Sequence, residues 1–111
     1  MVKNFGQLSS GETAHLYSLM TDMLRICVTD FGGTLVSVEV KDKSGEFVDI
    51  TLGYDDVAGY ENDNDCFGFN IGRNANRISN AQFTLNNIKY VLAKNDGENN
   101  LHSGPHLFSK R

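Results

Sequence analysis

Apolar and polar residues alternate along much of this chain, and this alternation limits the fold more than any other feature. In residues 34–40, valines occupy every second position from Val36 to Val40, and polar Ser37 and Glu39 lie between them. Successive side chains of a β-strand point to opposite faces of a sheet. The pattern therefore predicts a strand with one face toward a core and the other toward water.

The same spacing predicts a series of strands joined by short turns. Three residues that share a face recur in two further segments, as Leu24, Ile26 and Val28 and as Val48, Ile50 and Leu52. The second set is expected to point inward. Asn86-Asn87 predicts a two-residue hairpin, because asparagine tolerates a left-handed backbone. A single short helix is expected at 55–60, capped by its aspartates. The predicted strands are 14–19, 23–29, 34–40, 47–52, 82–85 and 88–92, which indicates an all-β, antiparallel chain.

Length and charge exclude several classes of protein. The 111 residues are typical of one domain, and the formal net charge of −4 without a basic cluster excludes nucleic acid as an expected partner. We expect no membrane association, because no apolar run approaches the roughly 20 residues of a membrane span. The first residues lack the apolar core of a signal peptide, so we expect a cytoplasmic protein. Cys27 and Cys66 are then expected to be reduced thiols rather than a disulfide.

Two irregular segments, 61–81 and 94–105, are rich in asparagine and glycine and carry the candidate site residues. Within the first, Gly72-Arg-Asn-Ala-Asn-Arg-Ile78 holds two arginines and two asparagines. Guanidinium donors and amide groups suit a neutral polyhydroxylated ligand, and no helix follows that would cradle a phosphate. An alternative stays open: one arginine pairs with an acidic loop residue, while the asparagines cap turns.

The histidines carry a weaker signal. His102 lies in Asn99-Asn-Leu-His-Ser-Gly104, where it is either structural or part of a site. His15 falls in a predicted strand and is interpreted as structural or exposed. His106 lies near the edge of the loop that carries His102. No histidine or cysteine pair has the spacing of metal ligands, so we expect no metal site.

Taken together, these segments resemble the N-terminal part of the aldose 1-epimerase family. The matching motifs occur in the family's order over nearly the whole chain: Asp30-Phe-Gly-Gly-Thr-Leu-Val-Ser-Val38, Asp42-Lys-Ser-Gly45, Val48-Asp-Ile-Thr-Leu-Gly-Tyr54, Phe67-Gly68, Gly72-Arg-Asn-Ala-Asn-Arg-Ile78 and Asn95-Asp-Gly-Glu-Asn-Asn-Leu-His102. The arginine-containing and Leu-His motifs are specific as a pair. Ser103 departs from the family by replacing a glycine. A little further on, His106-Leu107 occupies a place where a small residue and a glycine are common in the family.

The resemblance implies an antiparallel β-sandwich of the galactose mutarotase type, with residues 1–111 as the N-terminal portion of a single domain. It implies interconversion of the α and β anomers of free aldoses such as galactose or glucose, with no cofactor. Asn76 and Arg77 match the family's sugar-binding pair, and His102 matches its first active-site histidine. Arg73 belongs to the same motif and is a further candidate for sugar binding.

The family's second histidine, its general acid, and its glutamate general base have no counterpart in these motifs. We therefore expect the 111 residues to be inactive on their own. Two alternatives stay open, a non-catalytic carbohydrate-binding module and a structural portion that is stable only in association. Apolar strands with exposed edges also predict self-association of the chain.

Overall fold

The computed structural model describes residues 1–63 and 65–110 of the chain. It divides into two compact units, Met1–Asn70 and the residues from Ile71 onward. The strands and the α-helix are β1 (Val2–Gln7), β2 (Thr13–Met20), β3 (Leu24–Thr29), β4 (Leu35–Lys41), β5 (Phe47–Asp49), α1 (Val57–Asn62), β6 (Arg77–Ile78), β7 (Gln82–Leu85), β8 (Ile88–Val91) and β9 (Asn100–Leu101). Strands β1–β5 and helix α1 belong to the first unit, and β6–β9 belong to the second.

The first unit is one five-stranded antiparallel sheet in the order β1-β2-β3-β4-β5, with α1 packed on one face. The Asp56 side chain begins the helix by accepting a hydrogen bond from the Gly59 N–H over 3.0 Å. Val57 and Tyr60 on this helix are fully buried. They form one core cluster with residues from the sheet and its loops: Phe5, Ala14, Leu16 and Phe31.

A β-bulge changes which side chains of β4 meet this core. The register between β3 and β4 shifts between Cys27 and Val28, whose partners are Ser37 and Leu35. The extra residue interrupts the alternation, and Val36 packs against the core cluster that contains α1. The prediction that Val36 shares a face with Val38 and Val40 is therefore wrong, because a period of two holds only where the ladder is regular.

The opposite face of the sheet is apolar and open to solvent. Leu19 and Val48 on this face are 66% and 46% exposed. The expectation that Val48, Ile50 and Leu52 point into a core is wrong, because all three side chains are exposed and the core cluster lies on the face that α1 covers. The alternation identified an apolar face correctly, but it carries no information about what covers that face.

Two elements begin or end at other residues than predicted, where a side-chain oxygen accepts hydrogen bonds from backbone N–H groups. Strand β5 ends at Asp49, whose carboxylate accepts hydrogen bonds from the N–H groups of Val38 and Thr51. Helix α1 spans 57–62 rather than 55–60. Strand β1 was not predicted, because Val2–Gln7 lacks a clear alternation and contains Gly6. The antiparallel β class itself is confirmed.

In the second unit, β7 and β8 form the predicted hairpin, and β6 pairs with β9. Asn86 and Asn87 have φ angles of 52° and 62°, the left-handed conformation that this two-residue turn needs. The prediction of this hairpin is confirmed. None of the helices in the described part of the chain is long and apolar enough to span a bilayer.

Candidate functional site

The short ladder between β6 and β9 brings the two predicted motifs together. Arg77 lies opposite Leu101, and Ile78 lies opposite Asn100. One residue beyond the ladder, the His102 N–H donates to the Asn76 carbonyl oxygen over 3.0 Å. The Asn76 N–H in turn donates to Nδ1 of the His102 ring over 2.9 Å. Two residues 26 positions apart in sequence are thus joined by reciprocal hydrogen bonds.

This second bond sets the chemistry of the His102 ring. Because Nδ1 accepts a hydrogen bond from a backbone N–H, that nitrogen carries no proton, and the neutral ring carries its proton on Nε2. The side chain is half-buried. The ring therefore presents Nε2–H as a hydrogen-bond donor with a fixed orientation.

Arg77 supplies further donors beside this ring. Its Nε donates to Oδ2 of Asp96 over 2.5 Å, and its Nη1 donates to Oδ1 of Asn76 over 3.2 Å. The arginine side chain is 54% exposed. Within the described residues, the N–H groups on Nη2 have no hydrogen-bond partner and are available to a ligand. We call Asn76, Arg77 and His102 the donor cluster.

Two asparagines hold the backbone that carries His102. The Asn95 amide brackets Leu101: its Oδ1 accepts from the Leu101 N–H over 2.7 Å, and its Nδ2 donates to the Leu101 carbonyl over 2.9 Å. Asn100 is buried, and its Nδ2 donates to the carbonyls of Ala93 and Gly104. A Cβ at Gly104 would lie 2.1 Å from the Asn95 Nδ2 atom, so this close approach requires glycine.

Ser103, the residue that departs from the family pattern, ties the same loop to the arginine-containing segment. Its hydroxyl oxygen accepts from the Asn74 N–H over 2.8 Å, and the hydroxyl lies 3.4 Å from the Asn74 carbonyl oxygen. Ser103 and His102 have φ angles of 62° and 55°. The left-handed backbone explains why glycine suits this position, and the hydroxyl supplies a contact that glycine lacks.

Arg73 lies apart from the donor cluster. Its guanidinium carbon is 5.6 Å from the centre of the Phe108 ring. It lines a cavity of about 230 Å³ whose other walls include Gly72, Ser103, Pro105 and His106. In the described part of the chain, no hydrogen bond or ion pair joins Arg73 to Asn76, Arg77 or His102.

The other histidine and cysteine candidates lie outside the donor cluster. The His15 Nδ1 atom lies 3.0 Å from Oδ2 of Asp30, in line with the interpretation of this histidine as structural. Cys27 and Cys66 are free thiols. Across residues 1–63 and 65–110, no group of three histidine, cysteine or acidic side chains is arranged to hold a metal ion.

Three residues that hold the donor cluster in place were not identified from the sequence. Asp96, Asn95 and Asn100 lie in the motif that ends in His102, and their side chains orient Arg77 and the loop. The open alternative of an arginine paired with an acidic loop residue holds for the Nε atom of Arg77. The asparagine and aspartate residues around Gly97 predict turns. They do not predict which side chains form hydrogen bonds with one another.

The arrangement as a whole is suited to binding neutral oxygen atoms. The His102 Nε2–H and the Nη2 donors of Arg77 are fixed in advance by Asn76 and Asp96. Donors held in position before a ligand arrives are an effective way to stabilise charge that develops on an oxygen atom.

A separate ion pair lies in the motif that carries Asp96. The Lys94 side chain donates a hydrogen bond to Glu98 and lowers the pKa of that carboxyl group.

The chain matches proteins of known family over most of its length. The family model for aldose 1-epimerase matches residues 15–109. Galactose mutarotase from Bos taurus is 41% identical over 107 residues, which are 96% of this chain and 31% of the relative. The human galactose mutarotase is 39% identical over the same share of each chain. The aldose 1-epimerase of Streptococcus thermophilus is 35% identical over 90% of this chain.

Solved structures agree with these sequence matches. The crystal structure of a GalM/aldose epimerase homologue from C. elegans superposes with a TM-score of 0.81 at 30% identity, over 88% of this chain and 30% of the other. Galactose 1-epimerase from Lactobacillus acidophilus shares the fold at 22% identity, with a TM-score of 0.82. The predicted fold class is confirmed. The chain spans about a third of the length of these relatives, and it belongs to the aldose 1-epimerase family.

Proposed function

We propose that residues 1–111 form the amino-terminal portion of a single mutarotase-like domain and bind the sugar in an aldose 1-epimerase reaction. The substrate is a free aldose such as galactose or glucose. In this proposal Asn76, Arg77 and His102 contact the sugar, and Arg73 borders the site. The observation that carries the proposal is the hydrogen bond from the Asn76 N–H to His102 Nδ1, which joins the two family motifs in one donor cluster.

The reaction explains what these donors do. Conversion of one anomer to the other removes the proton of the anomeric hydroxyl group and protonates the ring oxygen, which opens the ring. Rotation about the first carbon–carbon bond and reclosure then give the other anomer. Negative charge shifts between sugar oxygens during these steps, and fixed N–H donors stabilise it where it develops.

His102 and Arg77 have distinct tasks in this scheme. The Nε2–H of His102 donates to a sugar oxygen, while its Nδ1 stays bound to the Asn76 N–H. The Nη2 donors of Arg77 bind a neighbouring oxygen, while its Nε stays bound to Asp96. In this proposal neither residue acts as the general acid or the general base. The family resemblance assigns those two roles to residues that have no counterpart in the motifs of this chain.

The binding step is tested on the 111 residues themselves. We expect D-galactose added to the ¹⁵N-labelled chain to shift the signals of Asn76, of the Arg77 side chain and of His102. His102→Ala removes one donor and is expected to weaken binding roughly tenfold or more. The matched control is His15→Ala, which alters a histidine bonded to Asp30 and leaves the affinity unchanged. Equal affinities in His102→Ala and the wild type contradict the proposed site.

The catalytic step is tested by polarimetry of freshly dissolved α-D-galactose. We expect a chain that joins these 111 residues to the remainder of an aldose 1-epimerase domain to accelerate the approach to anomeric equilibrium, and His102→Ala in that chain to slow it. We expect the 111 residues alone to give the buffer rate, because general acid and base groups each contribute roughly 10²- to 10⁴-fold. Sugar binding without acceleration by the joined chain would identify a non-catalytic carbohydrate-binding module instead.

A further inference from the structure

The carboxylate of Asp96 contacts the donor cluster at the Nε atom of Arg77. Its Oδ2 accepts from Arg77 Nε over 2.5 Å, and the two side chains are 33% and 54% exposed. A hydrogen bond between two charged groups is about twice as strong as one between neutral groups. The bond occupies the Nε–H group, and in the described residues the Nη2 group keeps N–H donors for a ligand.

The backbone holds Asp96 in place independently of Arg77. The Asp96 N–H donates to the Asn99 carbonyl over 3.2 Å, and the Asn99 N–H donates to the Asp96 carbonyl over 2.9 Å. Gly97, with φ at 57°, closes the turn between them. The bracket that Asn95 forms around Leu101 anchors the start of the same turn. The carboxylate therefore belongs to a rigid turn rather than to a free side chain on a mobile loop.

An arginine side chain has many rotamers, and ordering them opposes ligand binding unless the order already exists. Arg77 is more than half exposed, so burial does not restrict it. Its ordering contacts in the described part of the chain are Asp96 and the Asn76 amide. Of these two partners, Asp96 carries the charge and has the shorter bond.

We propose that Asp96 is a positioning residue that orders the Arg77 guanidinium before the sugar binds. This inference rests on the proposed function, because it concerns the same site. Asp96 itself does not touch the sugar. Its loss is expected to weaken sugar binding roughly two- to tenfold by restoring the rotamer freedom of one long side chain.

The experiment compares three variants in the full 111-residue chain. Asp96→Asn keeps the size of the side chain and its turn preference but removes its charge. Asp96→Glu keeps the charge on a longer stem. The control is Glu98→Gln, which removes a carboxylate two positions away that bonds Lys94 rather than Arg77. Each variant is titrated with D-galactose, and the mobility of the Arg77 Nε–H is measured by ¹⁵N relaxation without sugar.

We expect a rigid Arg77 Nε–H in the wild type and in Glu98→Gln, and a mobile one in Asp96→Asn. The galactose dissociation constant should rise two- to tenfold in Asp96→Asn, recover in part in Asp96→Glu and stay unchanged in Glu98→Gln. A mobile Nε–H in the wild type, or one that Asp96→Asn does not alter, overturns the inference. So does a mobilised Nε–H without any change in affinity.

The two arms also separate this inference from the proposed function. A wild-type chain that binds no galactose contradicts the proposed function. In that case the relaxation measurements alone decide whether Asp96 orders Arg77. An Nε–H that is rigid in Glu98→Gln and mobile in Asp96→Asn then supports the ordering, and equal mobility overturns it.

Discussion

The backbone N–H of Asn76 donates to Nδ1 of His102, while the His102 N–H donates to the Asn76 carbonyl oxygen. One of these two bonds ends on a side chain and the other joins two backbone groups, and together they join two loops. Asn76 has a φ of 60°, a conformation that asparagine adopts more readily than most residues. The orientation of the imidazole is therefore set by a main-chain group.

The first prediction concerns the tautomers of two histidines. The neutral His102 ring should carry its proton on Nε2, because Nδ1 accepts from Asn76. The neutral His15 ring should carry its proton on Nδ1, which faces the Asp30 carboxylate at 3.0 Å. Long-range ¹H–¹⁵N spectra at a pH where both rings are neutral distinguish the two patterns. The same tautomer in both rings would contradict the described hydrogen bonds.

The second prediction concerns the geometry of Arg77 rather than its charge. Arg77→Lys keeps one positive charge but carries all its donors on a single nitrogen atom, so it lacks the planar fork that bonds Asp96 through Nε and presents Nη2 separately. We expect the affinity for D-galactose to fall roughly tenfold, which corresponds to about 1.4 kcal/mol. The control is Arg25→Lys, which alters the ion pair with Glu39 in the sheet and should leave the affinity unchanged. Retention of full affinity by Arg77→Lys would exclude a role for the planar fork.

The third prediction separates two effects at Ser103. Its hydroxyl oxygen accepts from the Asn74 N–H, a bond worth about 0.5–1.5 kcal/mol, while its φ of 62° costs a non-glycine residue about 1–2 kcal/mol. Ser103→Ala loses the bond and keeps the strain, so it should destabilise the chain by about 1 kcal/mol. Ser103→Gly loses both and should change stability little. Urea unfolding of both variants tests the order, and an equal loss in each would contradict it.

The fourth prediction concerns alkaline pH. Burial raises the pKa of Tyr54 and of Tyr60, and the hydrogen bond from the Tyr54 hydroxyl to Asp63 raises the pKa of Tyr54 further. A raised pKa means that the folded state favours the neutral phenol. This stabilisation is complete below the ordinary tyrosine value of about 10 and is lost as the pH rises from there through the folded pKa values.

The test is the free energy of unfolding measured by urea at a series of pH values. We expect it to fall above about pH 10 in the wild type and to fall less steeply in Tyr54→Phe. Tyr60→Phe should also destabilise at neutral pH, by about 1–3 kcal/mol, because the Tyr54 N–H donates to the Tyr60 hydroxyl oxygen over 3.1 Å. Parallel pH profiles for the wild type and Tyr54→Phe would show that the contact with Asp63 does not contribute.

The fifth prediction is self-association of the 111-residue chain. One face of the five-stranded sheet exposes apolar side chains, among them Leu19, which is 66% exposed, and Val48, which is 46% exposed. Covering such area gains about 25 cal/mol per Å². Sedimentation equilibrium over a hundredfold range of concentration should show species heavier than 12.3 kDa.

Two lysine variants locate the associating surface. Leu19→Lys places a charge on the exposed sheet face and should weaken association. Val91→Lys changes an equally exposed residue of the β7–β8 hairpin and should not. A monomer at every concentration would contradict the prediction of self-association.

Local features of the fold could be read from the residues because their causes are local. The Asn86-Asn87 turn depends on two residues that tolerate positive φ, and the start of α1 depends on the Asp56 side chain three residues before Gly59. The alternation in β3 and β4 reflects the geometry of a single strand. Such features require no knowledge of what lies far away in the sequence.

The position of Val36 and the partners of Arg77 required the tertiary structure. The bulge opposite Cys27 depends on how two strands align, and no single strand specifies that register. Arg77 meets Asp96 across 19 positions, and Asn76 meets His102 across 26, because β6 pairs with β9. Residue types alone show that donors and acceptors are present. Which of them form hydrogen bonds depends on pairing between residues that are far apart in sequence, here the pairing of β6 with β9.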